Sequence, residues 1–182
     1  MGFAHELRGT NKRIRMYSQK SVTVVGTLEA SITGTGFDVY GAGVDGDSSG
    51  INANSGLFPT SPRSLVSRVE YEVNLFGRAP RKLSAIIKRR GQRDLRLEQK
   101  APTYSKKING YELRFDSPDV RLPSKKNFIL TTNLPNSKAP VDVLSCGKMA
   151  KGMYRFVIYP PLSLTQGFGI LLSAFHKKAL VA

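Results

Sequence analysis

The stretch Pro160-Pro161-Leu-Ser-Leu-Thr-Gln-Gly-Phe-Gly-Ile-Leu-Leu-Ser-Ala-Phe175 decides the fold. Its apolar residues fall on nearly every side of a helix, and a helix that is apolar all round has to be buried on all sides. Proline suits the first turn of a helix, and the basic residues that follow Phe175 suit its carboxyl end. The pattern therefore predicts one buried helix near Leu162–Ala179.

Short apolar stretches separated by turn residues fill the chain ahead of this helix. Arg68–Leu75 alternates strictly between polar and apolar residues, which predicts a half-buried strand. The other predicted strands are Ser21–Leu28, Phe37–Tyr40, Lys82–Ile87, Gly110–Phe115, Asn127–Thr132, Val141–Cys146 and Tyr154–Ile158. Their short, regular spacing indicates a sandwich or a barrel. A barrel closed around the buried helix satisfies both predictions.

Polar composition predicts loops at two places. Gly41–Pro62 is rich in Gly, Ser, Asn and Asp, as is typical of a mobile surface loop. Lys88–Lys107 is polar and strongly basic, and it is also predicted to be a loop.

The length of 182 residues predicts one domain, and its 28 basic and 13 acidic residues leave a net charge of +15. Such a charge favours a polyanionic partner, either nucleic acid, an anionic lipid headgroup or an acidic protein face. The 14-residue apolar run Leu162–Phe175 is shorter than the ~20 residues that cross a bilayer. The single cysteine, Cys146, is typical of a reducing, intracellular compartment.

An enzyme active site is not expected. Cys146 has no histidine near it in the sequence, so a buried structural thiol is the preferred interpretation. Glu70 and Glu72 share the outward face of a strand, where charge is the default. The two histidines, His5 and His176, lie at opposite ends of the chain. We therefore expect no metal, no cofactor and no catalysis.

Four segments in order resemble the tubby carboxy-terminal domain. These are Gly34-Thr-Gly-Phe-Asp-Val-Tyr40, Tyr71-Glu-Val-Asn74 with Ala79-Pro-Arg-Lys-Leu-Ser84, Ser124-Lys-Lys-Asn-Phe128 and Tyr159-Pro-Pro-Leu-Ser-Leu-Thr-Gln-Gly-Phe168. The resemblance covers residues 13–182 and leaves residues 1–12 as an amino-terminal extension. The family's long mid-domain insertion is missing, and Lys88–Lys107 stands in its place.

The resemblance implies a closed antiparallel barrel of about twelve strands around the carboxy-terminal helix. It implies a non-enzymatic adaptor that binds phosphoinositides, above all phosphatidylinositol 4,5-bisphosphate. It also implies a cytoplasmic protein at the periphery of the plasma or ciliary membrane, with protein cargo, and a nuclear, transcription-associated role has been proposed for the family. We expect a monomer.

The family's headgroup site departs from its pattern in this chain. Family members hold the headgroup with a Lys-x-Arg pair after a glycine, and the matching positions after Gly26 are Thr27 and Glu29. Since a carboxylate repels a bisphosphate, headgroup selectivity is expected to be weak. A further family contact aligns with Arg63, and another falls near Lys12 or Arg13.

Other basic residues are expected to compensate. Between Arg78 and Lys107 the chain has eleven Lys or Arg and two acids. Lys88, Arg89 and Arg90 are the predicted lipid contacts there, because each basic residue near an anionic leaflet contributes about 1 kcal/mol. Arg93 and Arg96 lie close behind them, and Arg121, Lys125 and Lys126 are expected to add to the positive field.

Two alternatives remain open at this point. A nucleic-acid-binding module meets the charge criterion, although no helix-turn-helix, zinc-finger or aromatic RNA-binding motif is present in the sequence. A protein adaptor could use the Gly41–Pro62 loop.

Overall fold

The computed structural model describes residues 2–6, 13–17, 24–41, 63–72 and 82–176. Within these ranges the protein is mainly β, with one helix near the carboxyl end. The elements are β1 (Gly2–Glu6), β2 (Arg13–Tyr17), β3 (Val24–Ala30), β4 (Gly36–Gly41), β5 (Ser64–Tyr71), β6 (Leu83–Ile87), β7 (Leu95–Gln99), β8 (Thr103–Ser105), β9 (Gly110–Glu112), β10 (Phe128–Thr132), β11 (Val141–Ala150), β12 (Met153–Ile158) and α1 (Leu164–Phe175).

Ten of these strands form one antiparallel sheet, in the order β1-β2-β3-β4-β5-β6-β7-β10-β11-β12. The remaining two, β8 and β9, form a separate hairpin. A mainly β fold with a carboxy-terminal helix is therefore confirmed. In the described ranges β1 and β12 are the outer strands of the sheet, so its closure into a barrel of twelve strands stays a prediction.

One hydrophobic core links the sheet to the helix. It contains buried residues from β2 through β11, such as Met16, Val39 and Leu144, together with Ile170 of α1. The helix packs on β3, β4 and β5. Helix α1 lies so close to β4 that a Cβ atom on Gly169 would overlap the side chain of Val39. The glycines of the helix therefore permit the contact with the sheet.

The start of α1 is fixed to the sheet by Gln166. Ser163 and Gln166 form a capping box, in which the Gln166 N–H donates to Ser163 Oγ at 3.2 Å and the Ser163 N–H donates to Gln166 Oε1 at 2.9 Å. The Gln166 amide nitrogen also donates to the carbonyl oxygens of Val66 and Lys88, both at 3.3 Å. One side chain thus caps the helix and joins it to β5 and to the residue after β6.

The prediction of a helix buried on all sides is wrong at its first turn, because Leu164 is 62% exposed. The helix buries one face against the sheet, and Phe168 and Leu172 at its side are only partly buried. The buried face also contains Ser173, whose hydroxyl bonds to Tyr71 at 2.9 Å and donates to the Ile170 carbonyl at 2.7 Å.

The prediction of a loop over Lys88–Lys107 is also wrong, since β7 and β8 lie within it. In β7, the buried Leu95 and Leu97 alternate with the exposed Arg96 and Glu98. That alternation is too short to stand out from the charges around it. Apart from Gly41 itself, the predicted Gly41–Pro62 loop lies outside the described residues.

The antiparallel register defines two ends of the sheet. Strand β6 ends and β7 begins at the turn formed by residues 88–94, which we call the Lys88 turn. Strand β5 begins at this end as well, because Ser67 pairs with Ile87. Strand β10 begins, β11 ends and β12 begins at the other end, where the carboxyl end of α1 also lies, since Phe175 contacts Tyr154.

Candidate functional site

The fold brings Arg63 to β3, the strand that contains Thr27 and Glu29. Arg63 precedes β5, yet its Nη1 atom lies 2.8 Å from Oε1 of Glu29 on β3. The guanidinium also lies 5.4 Å from the centre of the Tyr40 ring, and Tyr40 is the register partner of Thr27. We call Thr27, Glu29, Tyr40 and Arg63 the β3 site.

Strand β2 adds two basic positions beside the β3 site. Arg13 is the backbone register partner of Glu29, and Arg15 is the partner of Thr27. The backbone of Arg13, one of the two predicted contacts, therefore lies beside Glu29, whereas Lys12 lies outside the described residues. The sequence did not single out Arg15, because the pairing of β2 with β3 was not predicted.

Carboxylates already engage the cations of this region. Next to the Arg63–Glu29 pair, Asp38 accepts two hydrogen bonds from Arg68, at 2.7 and 3.2 Å. The pKa of Tyr40 is raised, first by burial and then by the charges of Asp38 and Glu29. An anionic ligand at Arg63 would therefore compete with Glu29. The Arg63–Glu29 pair is partly exposed, and such pairs contribute about 0.2–1 kcal/mol to stability. A strongly charged ligand can therefore displace the Glu29 carboxylate from Arg63.

Thr27 is not an accessible ligand position. It is only 7% exposed, and its hydroxyl oxygen is buried without a hydrogen-bond partner among the described residues. The threonine at this position therefore offers a ligand little accessible surface.

Two of the three predicted lipid contacts in the Lys88 turn already interact with groups of the same turn. Lys88 forms an ion pair with Asp94 at 2.6 Å, and Arg89 donates to the Arg93 carbonyl oxygen at 3.0 and 2.6 Å. Arg90 is exposed and forms no ion pair within the described part of the chain. Gly91 has a φ of +69°, the left-handed conformation that this tight turn requires.

A cleft that the sequence did not predict lies outside the sheet, beneath residues 115–120. It has a volume of about 290 Å³ and an apolar floor that includes Ile129 and Val157. Two of its three carboxylates are ion-paired, with Asp119 Oδ2 2.7 Å from Arg155 and Asp142 Oδ2 3.1 Å from Lys100. The third carboxylate, Asp116, has no ion pair among the described residues.

The structure supports the structural interpretation of Cys146. Its side chain is fully buried, and burial raises the pKa of the thiol to about 12. The thiol therefore stays protonated near neutral pH and is a poor nucleophile. Among the described residues, no three metal-ligating side chains come together in a way that could hold a metal ion.

No helix in the part of the chain that the structure describes has the length and apolar character required to span a bilayer.

Comparison with known proteins finds similarity to one family. Residues 88–177 match the family model described as Tub family. The chain is 26% identical over 189 residues to Tubby-related protein 3 of Homo sapiens, and the alignment covers 88% of the chain and 41% of that protein. Tubby-related protein 2 of Mus musculus is also 26% identical, over 88% of the chain and 32% of that protein. The chain thus spans about two-fifths of these relatives or less. These matches support a tubby-like domain in the chain.

Proposed function

We propose that the chain is a non-enzymatic adaptor that binds anionic membranes, with phosphoinositides as its ligands. The observation that carries this proposal is the position of Arg63. Its Nη1 atom donates to Oε1 of Glu29, 34 residues away in the chain, and Glu29 is one of the two positions that we align with the family's headgroup pair. A closed barrel, a cytoplasmic location at the plasma or ciliary membrane, protein cargo and a monomeric state are parts of the same proposal.

The net charge of +15 supports this proposal independently of the family. Arginine binds phosphate oxygens through two parallel hydrogen bonds, which suits Arg63 once Glu29 is displaced. Because Glu29 competes for that guanidinium and Thr27 is buried, we expect weak discrimination among headgroups of equal charge. The exposed Arg90 would attract any anionic leaflet without selecting a lipid.

A flotation assay tests the proposal. The chain is mixed with vesicles of phosphatidylcholine alone, with added phosphatidylserine, or with phosphatidylinositol 4,5-bisphosphate or isomers of equal charge. We expect flotation with every anionic vesicle at about physiological ionic strength, where the Debye length is ~8 Å. If the chain floats with none of the anionic vesicles, the proposed membrane function is wrong. Strong preference for one bisphosphate isomer would overturn the expected weak selectivity alone.

Nucleic-acid binding is the second candidate, and the same net charge supports it. Binding to phosphates through basic turns would be independent of sequence and steeply dependent on salt. A duplex DNA competitor in the flotation assay separates the two functions. Release from vesicles at low DNA concentration, together with tight binding to DNA alone, would favour the nucleic-acid function.

A further inference from the structure

A second basic surface lies at the end of the sheet opposite the Lys88 turn. Residues 121–127 cross the end of β11 there, with the Leu122 N–H donating to the Lys148 carbonyl oxygen at 3.2 Å. The Lys148 N–H in turn donates to the side-chain oxygen of Asn127 at 2.9 Å. These bonds fix a surface that we call the tip surface. It consists of Leu122, Lys125, Lys126, Lys148, Lys151 and Met153.

The nearby carboxylate of Asp119 is paired with Arg155, and no carboxylate among the described residues pairs with the lysines of the tip surface. From residue 120 to residue 182 the only acid is Asp142, and its carboxylate is paired with Lys100. The basic residues over the same range are Arg121, Lys125, Lys126, Lys138, Lys148, Lys151, Arg155, Lys177 and Lys178. None of the four lysines of the tip surface forms an ion pair within the described ranges. By contrast, Lys88 in the Lys88 turn is paired with Asp94.

Apolar side chains are exposed among these lysines. Met153 is 58% exposed, and Leu122 is 39% exposed. The ammonium group of Lys126 lies 4.2 Å from the centre of the Phe175 ring, a cation–π contact that places this charge beside an apolar side chain. Lysines whose stems cover apolar groups while their charges reach outward are typical of membrane-interface segments.

We propose that the tip surface binds the interface of an anionic bilayer, with its lysines on the headgroups and with Met153 and Leu122 in the interfacial layer. This inference rests on the proposed function and adds to it a membrane contact separate from the β3 site and the Lys88 turn. Nucleic acid fits less well, because a phosphate backbone offers no partner for the two exposed aliphatic side chains. A bilayer supplies both the negative charge and the apolar layer.

The strand register separates the two basic ends. A path between them runs along three paired strands, from Leu95 to Gln99, then from Leu130 to Phe128, then from Cys146 to Ala150. At the usual rise per strand residue this path is about 30 Å long. The tip surface and the Lys88 turn are therefore distinct contacts. Substitutions in one can be tested without disturbing the other.

The test uses vesicles of phosphatidylcholine with phosphatidylserine and compares Leu122→Ser/Met153→Ser with the unmodified chain. We expect about tenfold weaker binding, because two partly buried aliphatic groups are lost from the interface. The loss should persist at high salt, since apolar insertion is not screened. Ile32→Ser is the matched control, because Ile32 is an isolated aliphatic residue, 88% exposed, in the turn between β3 and β4.

The charge component is tested in parallel with Lys148→Gln/Lys151→Gln. Its loss of binding should be large at low salt and small at high salt, and Lys138→Gln in the loop before β11 should have a lesser effect. Equal binding by both tip variants and the unmodified chain would overturn the inference and leave the proposed function standing. Absence of vesicle binding by the unmodified chain would overturn both. Loss of DNA binding with unchanged vesicle binding would make the surface a nucleic-acid contact instead, which also overturns the inference.

Discussion

Arg63 and Glu29 form an ion pair across 34 residues of chain, with Nη1 2.8 Å from Oε1. The β3 site therefore contains its own anion, the carboxylate of Glu29. Any phosphate that reaches Arg63 has to replace this carboxylate. The strength of headgroup binding at the β3 site then depends on how readily Glu29 is displaced.

Glu29→Gln should strengthen binding to vesicles containing phosphatidylinositol 4,5-bisphosphate by about fivefold, given roughly 1 kcal/mol per unit of charge near an anionic leaflet. The substitution removes the competing charge and leaves the guanidinium of Arg63 free to bind phosphate. Titration of the protein with vesicles, read by co-sedimentation, measures the change.

Glu70→Gln is the control for that experiment. Glu70 is an exposed carboxylate on β5, so its loss changes the net charge equally without releasing Arg63. An equal gain from both variants would mean that only net charge matters and that the β3 site binds no headgroup.

Arg90→Gln should weaken binding to every anionic vesicle alike if the Lys88 turn contacts the leaflet. The expected decrease is about fivefold at low salt. Lys88→Gln should have a smaller effect, because Asp94 already pairs with Lys88 and would remain as an unpaired negative charge near the surface. A larger effect of Lys88→Gln than of Arg90→Gln would contradict this account of the turn.

Cys146 should make the unfolding free energy depend on pH in the alkaline range. The thiol has a pKa of about 12 in the folded chain against 9.0 for a free thiol, so its contribution is complete below pH 9 and is lost as the pH rises toward 12. Between pH 8 and pH 10 the loss is about 1 kcal/mol. Urea unfolding at both values measures it. In Cys146→Ala this part of the pH dependence should disappear, and an unchanged slope would count against the burial of an ionisable thiol.

Gln166→Ala should lower the unfolding free energy more than Ser163→Ala does. Ser163→Ala removes one capping bond, at about 1 kcal/mol. Gln166→Ala removes the other half of the capping box and leaves the Val66 and Lys88 carbonyl oxygens without this donor, at about 2 kcal/mol. Chemical denaturation of the two variants compares them directly, and equal losses would show that the bonds to the sheet contribute nothing.

The sequence predicted the elements whose periodicity is strong. The helix stood out because its apolar residues continue through Phe175, and β5 stood out because Val69 and Tyr71 alternate with charged residues. Strand β7 was missed, since Leu95 and Leu97 are the only buried apolar residues within a basic run. Only one face of α1 is buried, because the sheet packs on that face alone. The local sequence of the helix does not specify where the sheet packs.

The candidate site was predicted only in part, because its remaining features also depend on contacts between distant segments. Arg63 was placed near the family's headgroup position by alignment, but its pairing with Glu29 depends on a contact between distant strands. The burial of Thr27 likewise follows from the packing of neighbouring strands rather than from its own residue type. The tip surface was visible only as separate lysines, because the bridge between Leu122 and Lys148 joins two segments that the sequence does not connect.

The position of α1 in the chain has a consequence for synthesis. Every described strand precedes it, and its residues fill the core that Met16, Val39 and Leu144 line. On a ribosome, the sheet would emerge with that apolar face uncovered. The core can close only after residue 175 has left the exit tunnel, so every strand waits for the helix and, at roughly 5–20 residues per second, β1 waits about ten times as long as β12.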